Sequence, residues 1–313
     1  MSLAIACASG GYRVAFVQGV LSALERADVR ADAYAGTSGS VIPAALAAIG
    51  RHDHHGLAYI EGLLEYKSLG KGMSGVFLES IQYWGTLVRE QLWQPARPRL
   101  VLPASAVVTQ EAADQVQTHA SCHLGRRLLM EAARHDKHWA NLHLRLELFD
   151  THPVNSGRRL TPDNFAEVAY ASSRMLHAWA VPAWIEDRPY VDASYTCSCP
   201  ALELADMGYD EVVAITPECG PFYHDLFGTE EIPRVWKGTP VYIIQPEVDL
   251  TDFGVLCTQA DEDGLHEAYR LGEAKGLQFL SGFISGWRQR EALREIDVDK
   301  PRGIMLGDVR TAV

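Results

Sequence analysis

An α/β domain is the fold class this sequence predicts, on the strength of two glycine-rich turns and one hairpin. The first turn, Ser9-Gly10-Gly11-Tyr12-Arg13, follows a buried-looking run at 3–8 and precedes Val17, Val20, Leu21 and Leu24 at helical spacing. The second, Gly36-Thr37-Ser38-Gly39-Ser40, separates apolar Ala33-Tyr34-Ala35 from an alanine-rich run at 40–49. Strand, tight turn and helix, used twice in succession, open a βαβ arrangement. The hairpin, Trp184 to Asp192, has an acidic turn and ends on an aspartate.

The 313 residues suffice for one large domain or two small ones, and no repeat, low-complexity tract or linker divides them. A single domain over 1–313 is the expectation, with a less regular helical region at about 50–140. The chain is 47% hydrophobic and 22% charged, a globular balance. Its net charge of −12 speaks against a nucleic-acid partner and offers no basic face to anionic lipid. No apolar run approaches the roughly 20 residues of a membrane span. A basic segment followed by a long apolar core is also missing at the start, so no signal peptide is expected and the predicted location is cytoplasmic. The six cysteines fit reduced, mostly buried thiols, because Cys197-Ser198-Cys199 lacks the spacing of zinc or redox pairs. His52, Asp53, His54 and His55 could gather a metal, but a solvated loop is the simpler expectation.

Further along, Met73–Trp93 places Phe77, Ile81, Trp84, Val88 and Leu92 on one helical stripe. That stripe either packs on the core or forms a lipid-facing lid. Prolines obscure 98–109. A helix is expected at 122–136, a strand with one wet face at 142–149, and a turn-rich connection at 150–157. Another helix should run from Thr161-Pro162 into Ala171-Ser172-Ser173. After the hairpin come a helix at 201–207, strands at 209–215 and 239–246, and a long helix at about 261–286.

Ser38 sits where a nucleophile elbow would place its serine, between strand and helix among small neighbours. The alternative is a serine that merely caps the helix at 40–49. The 9–13 turn leaves backbone N–H groups uncovered, which suits a phosphate or a developing oxyanion. It lacks the Lys-Ser/Thr of a P-loop and the spacing of a dinucleotide fingerprint, so an oxyanion hole is favoured. Of the histidines after Asp192, neither His224 nor His266 stands in a recognisable triad context.

These landmarks, in this order, resemble the patatin-like phospholipases, lipid acyl hydrolases with a Ser-Asp dyad. Ser9-Gly10-Gly11-Tyr12-Arg13 is similar to the family's oxyanion motif, Gly36-Thr37-Ser38 to its elbow, and Tyr190-Val191-Asp192, with Ala171-Ser172-Ser173 before it and Pro200 after it, to the segment carrying its aspartate. Ser9, Val14, Ser40 and Ala193-Ser194 stand where the family usually has glycine, or glycine followed by glycine or alanine. The resemblance covers most of the chain outside about 50–140. It implies a three-layer α/β/α fold with a central, mostly parallel sheet. It further implies that Ser38 is the nucleophile and Asp192 the general base and acid, with Gly10, Gly11, Tyr12 and Gly39 forming the oxyanion hole and Arg13 and Gly36 in support. The implied activity is cleavage of carboxylic esters of phospholipids or other lipids, with no cofactor or metal, no nucleic acid, and brief contact with a membrane surface. Softened motifs leave a second reading open, a weakened or inactive lipid-binding relative. A nucleotide-binding α/β protein using the 9–13 turn is the third.

Overall fold

The computed structural model describes residues 2–118, 120–153 and 157–298. Its chain divides into two compact units, Met1–Leu277 and Gln278–Val313. Residues 154–156 of the turn expected at 150–157, and residues 299–313 of the expected single domain, lie outside the described residues. In the second unit, residues 278–298 are helical and the rings of Phe279 and Phe283 stack at 4.8 Å between centroids.

The first unit is an α/β fold built on a mixed, mostly parallel sheet. Its strands are β1 (Leu3–Cys7), β2 (Ala33–Gly36), β3 (Arg99–Val107), β4 (Leu144–Asp150), β5 (Arg158–Arg159), β6 (Ala183–Ile185), β7 (Arg188–Val191), β8 (Glu211–Ile215), β9 (Val235–Trp236) and β10 (Thr239–Ile244). The order across the sheet is β5-β4-β3-β2-β1-β8-β10-β9, and the β6–β7 hairpin joins it through β7 and β3. The central pairs β3–β2, β2–β1, β1–β8 and β8–β10 are all parallel. Every residue of β2 and β8 is buried, as parallel strands covered on both faces require.

Register decides what meets at the carboxyl ends of these strands. Cys7 pairs with Gly36, so the two glycine-rich turns leave the sheet at the same level and side by side. Antiparallel β7 sets Val191 against Ser105, so the next residue, Asp192, falls beside Ala104, just past the level at which β2 ends.

Two elements escaped the sequence reading for physical reasons. Pro103 lies inside β3, yet on one edge Val101 is the last residue facing β2 and Ser105 the first facing β7. A residue without an N–H is tolerated in that gap. The loop expected around His52 is instead the first turn of a helix, His52–Ser68. His52 is buried and hydrogen-bonds to Gln18, and burial lowers its pKa to about 3. It is therefore a neutral core residue, and no metal-ligating group forms there among the described residues.

The Met73–Gln91 helix turns its stripe inward: Phe77, Ile81, Trp84 and Val88, together with Leu92 just beyond it, are all buried. In this structure the stripe therefore packs on the core. Within the first unit the last helix crosses Ala15–Arg26 at unusually close range. A Cβ on Gly19 or Gly272 would collide with the carbonyl of Tyr269 or Phe16. This crossing braces the helix whose start is the first glycine turn. No described helix is long and apolar enough to cross a membrane.

Candidate active site

Ser38 occupies the sharp turn between β2 and the helix Val41–Ala48, with φ of 56°, a left-handed conformation that is costly for a residue with a side chain. Its neighbours permit the turn. A Cβ on Gly36 would strike the carbonyl of Ser40, and one on Gly39 would stand 2.8 Å from the Gly11 oxygen and 3.2 Å from the Gly11 nitrogen. Gly39 and Gly11 are thus in direct apposition, which only two residues lacking side chains allow. Val14, where a smaller residue was expected, fills the space beside Gly39, its Cγ1 3.1 Å from that same Cβ position.

Serines from remote elements hold the strained turn. The Ser38 amide donates to Ser172 Oγ at 3.2 Å, and Ser173 Oγ donates to the Ser38 carbonyl at 3.0 Å. Ser40 Oγ donates to the Ala8 carbonyl at 2.6 Å, tying the elbow to the end of β1.

The Ser38 hydroxyl donates to Asp192 Oδ2 at 2.8 Å. Oδ1 of the same carboxylate accepts the amide of Ser194 at 2.8 Å and its hydroxyl at 2.6 Å. The Asp192 backbone is fixed as well: its amide donates to the Arg174 carbonyl at 2.9 Å, and its carbonyl accepts Ser105 Oγ at 2.8 Å. Asp192 is fully buried, and burial raises its pKa to about 6 against the opposing hydrogen bonds from Ser194 and Ser38. A carboxylate near that value can accept a proton at neutral pH and later return it.

Of the expected oxyanion donors, Gly11 and Gly39 lie against each other, whereas Tyr12 needs correction. Its amide already donates to the Cys257 carbonyl at 3.0 Å. Cys257 lies so close to Gly11, itself at φ of 57°, that any side chain on Gly11 would meet it. The two terminal nitrogens of Arg13 reach Glu218 at 2.8 and 2.7 Å, which ties the first glycine turn to the chain beyond β8.

No histidine found after Asp192 in the chain joins the pair. His224 Nε2 lies 2.7 Å from Glu203 Oε1, and His266 faces Glu61. Burial lowers the His224 pKa, but the nearby carboxylates of Glu203, Glu230 and Asp225 together leave it raised. Cys197 Sγ also donates to Glu203, at 3.7 Å, so thiol, carboxylate and imidazole satisfy one another. A separate cavity of about 370 Å³ lies at the opposite, amino ends of β2 and β3 and is lined by Leu21, Tyr34 and Arg97 among others. It has no part in the dyad.

The supporting serines 105, 172 and 173 and the Cys257 backstop were not identified as site residues from sequence. Only Ala171-Ser172-Ser173 left a trace, as the end of a helix and as residues that accompany the aspartate-bearing segment in the family resemblance.

No family model matches this chain, and no curated protein matches it. Among solved structures it is similar to human GIVD cytosolic phospholipase A2, at 11% identity and a TM-score of 0.49, covering 90% of this chain and 61% of that one. A complex of the human protein with methyl γ-linolenyl fluorophosphonate and terbium chloride gives 10% and 0.47, covering 92% and 59%. VipD from Legionella pneumophila gives 10% and 0.44, covering 90% and 66%. The chain therefore spans about three fifths to two thirds of the length of these structures.

Proposed function

We propose that this chain is a serine acyl hydrolase that cleaves carboxylic esters of phospholipids or other lipids through Ser38 and Asp192. One observation carries the reading: a serine in a left-handed turn donates its hydroxyl directly to a fully buried carboxylate at 2.8 Å, with no imidazole between them. A serine that only capped the following helix would turn its oxygen to that helix's amides. Ser38 spends its hydroxyl on Asp192 instead.

Under this reading Asp192 takes the hydroxyl proton as Ser38 Oγ attacks the ester carbonyl. Amides of Gly10, Gly11 and Gly39 face the oxygen that becomes negative, and the start of the 38–48 helical run adds its positive dipole end. Collapse of the tetrahedral species expels the alcohol, which leaves with the proton from Asp192. Water then attacks the acyl-serine, again losing its proton to Asp192, and the fatty acid and free Ser38 result. A lipid substrate fits an apolar, water-poor setting in which a carboxylate is basic enough to act without histidine. Brief contact with a membrane surface belongs to the same proposal.

The test is covalent labelling with a fluorophosphonate, followed by peptide mapping, beside hydrolysis of short-chain p-nitrophenyl esters. Label on Ser38 and loss of both signals in Ser38→Ala are expected. Hydrolysis unchanged in Ser38→Ala removes the mechanism. A second reading, lipid binding without turnover, draws on the burial of Ser38, 5% exposed, and on Cys257 packed over Gly11. It requires that the intact protein take no label.

A further inference from the structure

The two oxygens of Asp192 are held by different partners, and the division is made by a residue whose hydroxyl the family resemblance does not lead one to expect. Asp192 caps the short turn Ala193–Tyr195, accepting the Ser194 amide, a bond available to any residue at that position. The Ser194 hydroxyl adds a second donor to the same oxygen at 2.6 Å. Ser194 is fully buried, so this hydroxyl has no water to turn to. We propose that Ser194 is a positioning residue: its hydroxyl pins Oδ1 of Asp192, leaves Oδ2 to Ser38, and stabilises the charged carboxylate that receives the proton. The catalytic part of this proposal rests on the acyl-hydrolase reading, whereas the effect on the carboxylate does not.

Other groups around Asp192 keep their charge state over the relevant range. Burial raises Tyr195, and it raises Cys257 to about 11, so both stay neutral. Arg174, lowered by burial to about 10, stays charged, and its guanidinium is spent on the carbonyls of Val116, Val181 and Tyr190. Between pH 4 and 9 the hydroxyl of Ser194 is therefore a separable influence.

The experiment follows the Asp192 carboxyl by carbon NMR across pH, its signal assigned by its loss in Asp192→Asn. In Ser194→Ala the midpoint should move about one pH unit higher, because a hydrogen bond to the charged form is gone. Ser194→Thr, which keeps a hydroxyl, should stay near the wild type, and Ser194→Gly provides a second deletion should the alanine variant fail to fold. The acid limb of kcat/KM for ester hydrolysis should move by the same amount. An unmoved midpoint in the deletion variants overturns the proposal, as does a lower kcat on an unmoved limb, which would mark packing alone. Should the wild type neither label nor hydrolyse, the hydrolase reading fails while the carboxyl titration still decides the role of Ser194.

Discussion

Two buried aspartates beside β3 show how the same side chain becomes structural in one place and reactive in another. Asp150 faces Arg99 at the start of the strand, where the guanidinium Nε approaches both carboxylate oxygens at 2.9 Å. Asp192 lies further along the strand, beside Ser105, its carboxylate held by two hydroxyls and an amide, none of them charged. A carboxylate paired with a guanidinium has its charge compensated by its partner. Hydroxyl donors orient a carboxylate without neutralising it, so burial dominates and the proton affinity of Asp192 rises. Asp192 is thus a buried acid held by uncharged donors at the place where two glycine turns converge.

The largest effect that could break this contrast is kinetic. Asp192→Asn keeps the side-chain oxygen that caps the 193–195 turn but cannot take a proton. Ester hydrolysis should fall by roughly 10³-fold or more, as loss of a general base does elsewhere. Asp150→Asn should leave kcat within a few-fold, measured on the same substrate.

Stability separates the pair next. Removing the charge of Asp150 leaves Arg99 partly buried and unpaired, at a cost of about 3–5 kcal/mol in urea unfolding. Asp192→Asn should act in the opposite sense at pH 8. Asp192 holds its proton more tightly folded than unfolded, with a pKa raised from 3.8 to about 6. Its favourable contribution is complete below pH 4 and is lost as pH rises through about 6. The asparagine variant should therefore gain up to about 3 kcal/mol at pH 8 and nothing at pH 4. A gain at pH 8 that persists at pH 4 would contradict the assignment.

How much of this was legible beforehand follows from distance along the chain. Both glycine turns and the hairpin are local patterns, so Ser38 and Asp192 could be named from residues that flank them. The parallel centre of the sheet was readable for the same reason, through strand, turn and helix in sequence. What holds the dyad was not. Ser105, Ser172 and Ser173 lie 67 to 135 positions from Ser38, and only register between β3 and β7 and the approach of the helix Phe165–Ser173 bring them in. Tyr12 looked like an oxyanion donor because nothing nearby in sequence shows Cys257 arriving to take its amide. Helix His52–Ser68 was missed because its inward residues, His52, Tyr59, Ile60 and Leu63, make too sparse a stripe.

The smallest expected effect concerns Arg13. Its partner Glu218 is nearly half exposed, with a side chain 45% accessible. Glu218→Gln should cost under about 1 kcal/mol in unfolding and only a few-fold in kcat/KM. A much larger kinetic loss would show that Arg13 holds the glycine turn more firmly than a half-solvated ion pair can.

The rate of fluorophosphonate labelling at Ser38, measured across pH in the wild type and in Asp192→Asn, tests the dyad most directly. Label mapped to Ser38, at a rate rising through about pH 6 and lost in the asparagine variant, is the expected result. Labelling that is absent from Ser38, or equally fast in Asp192→Asn, would contradict the claim that a buried carboxylate alone activates this serine.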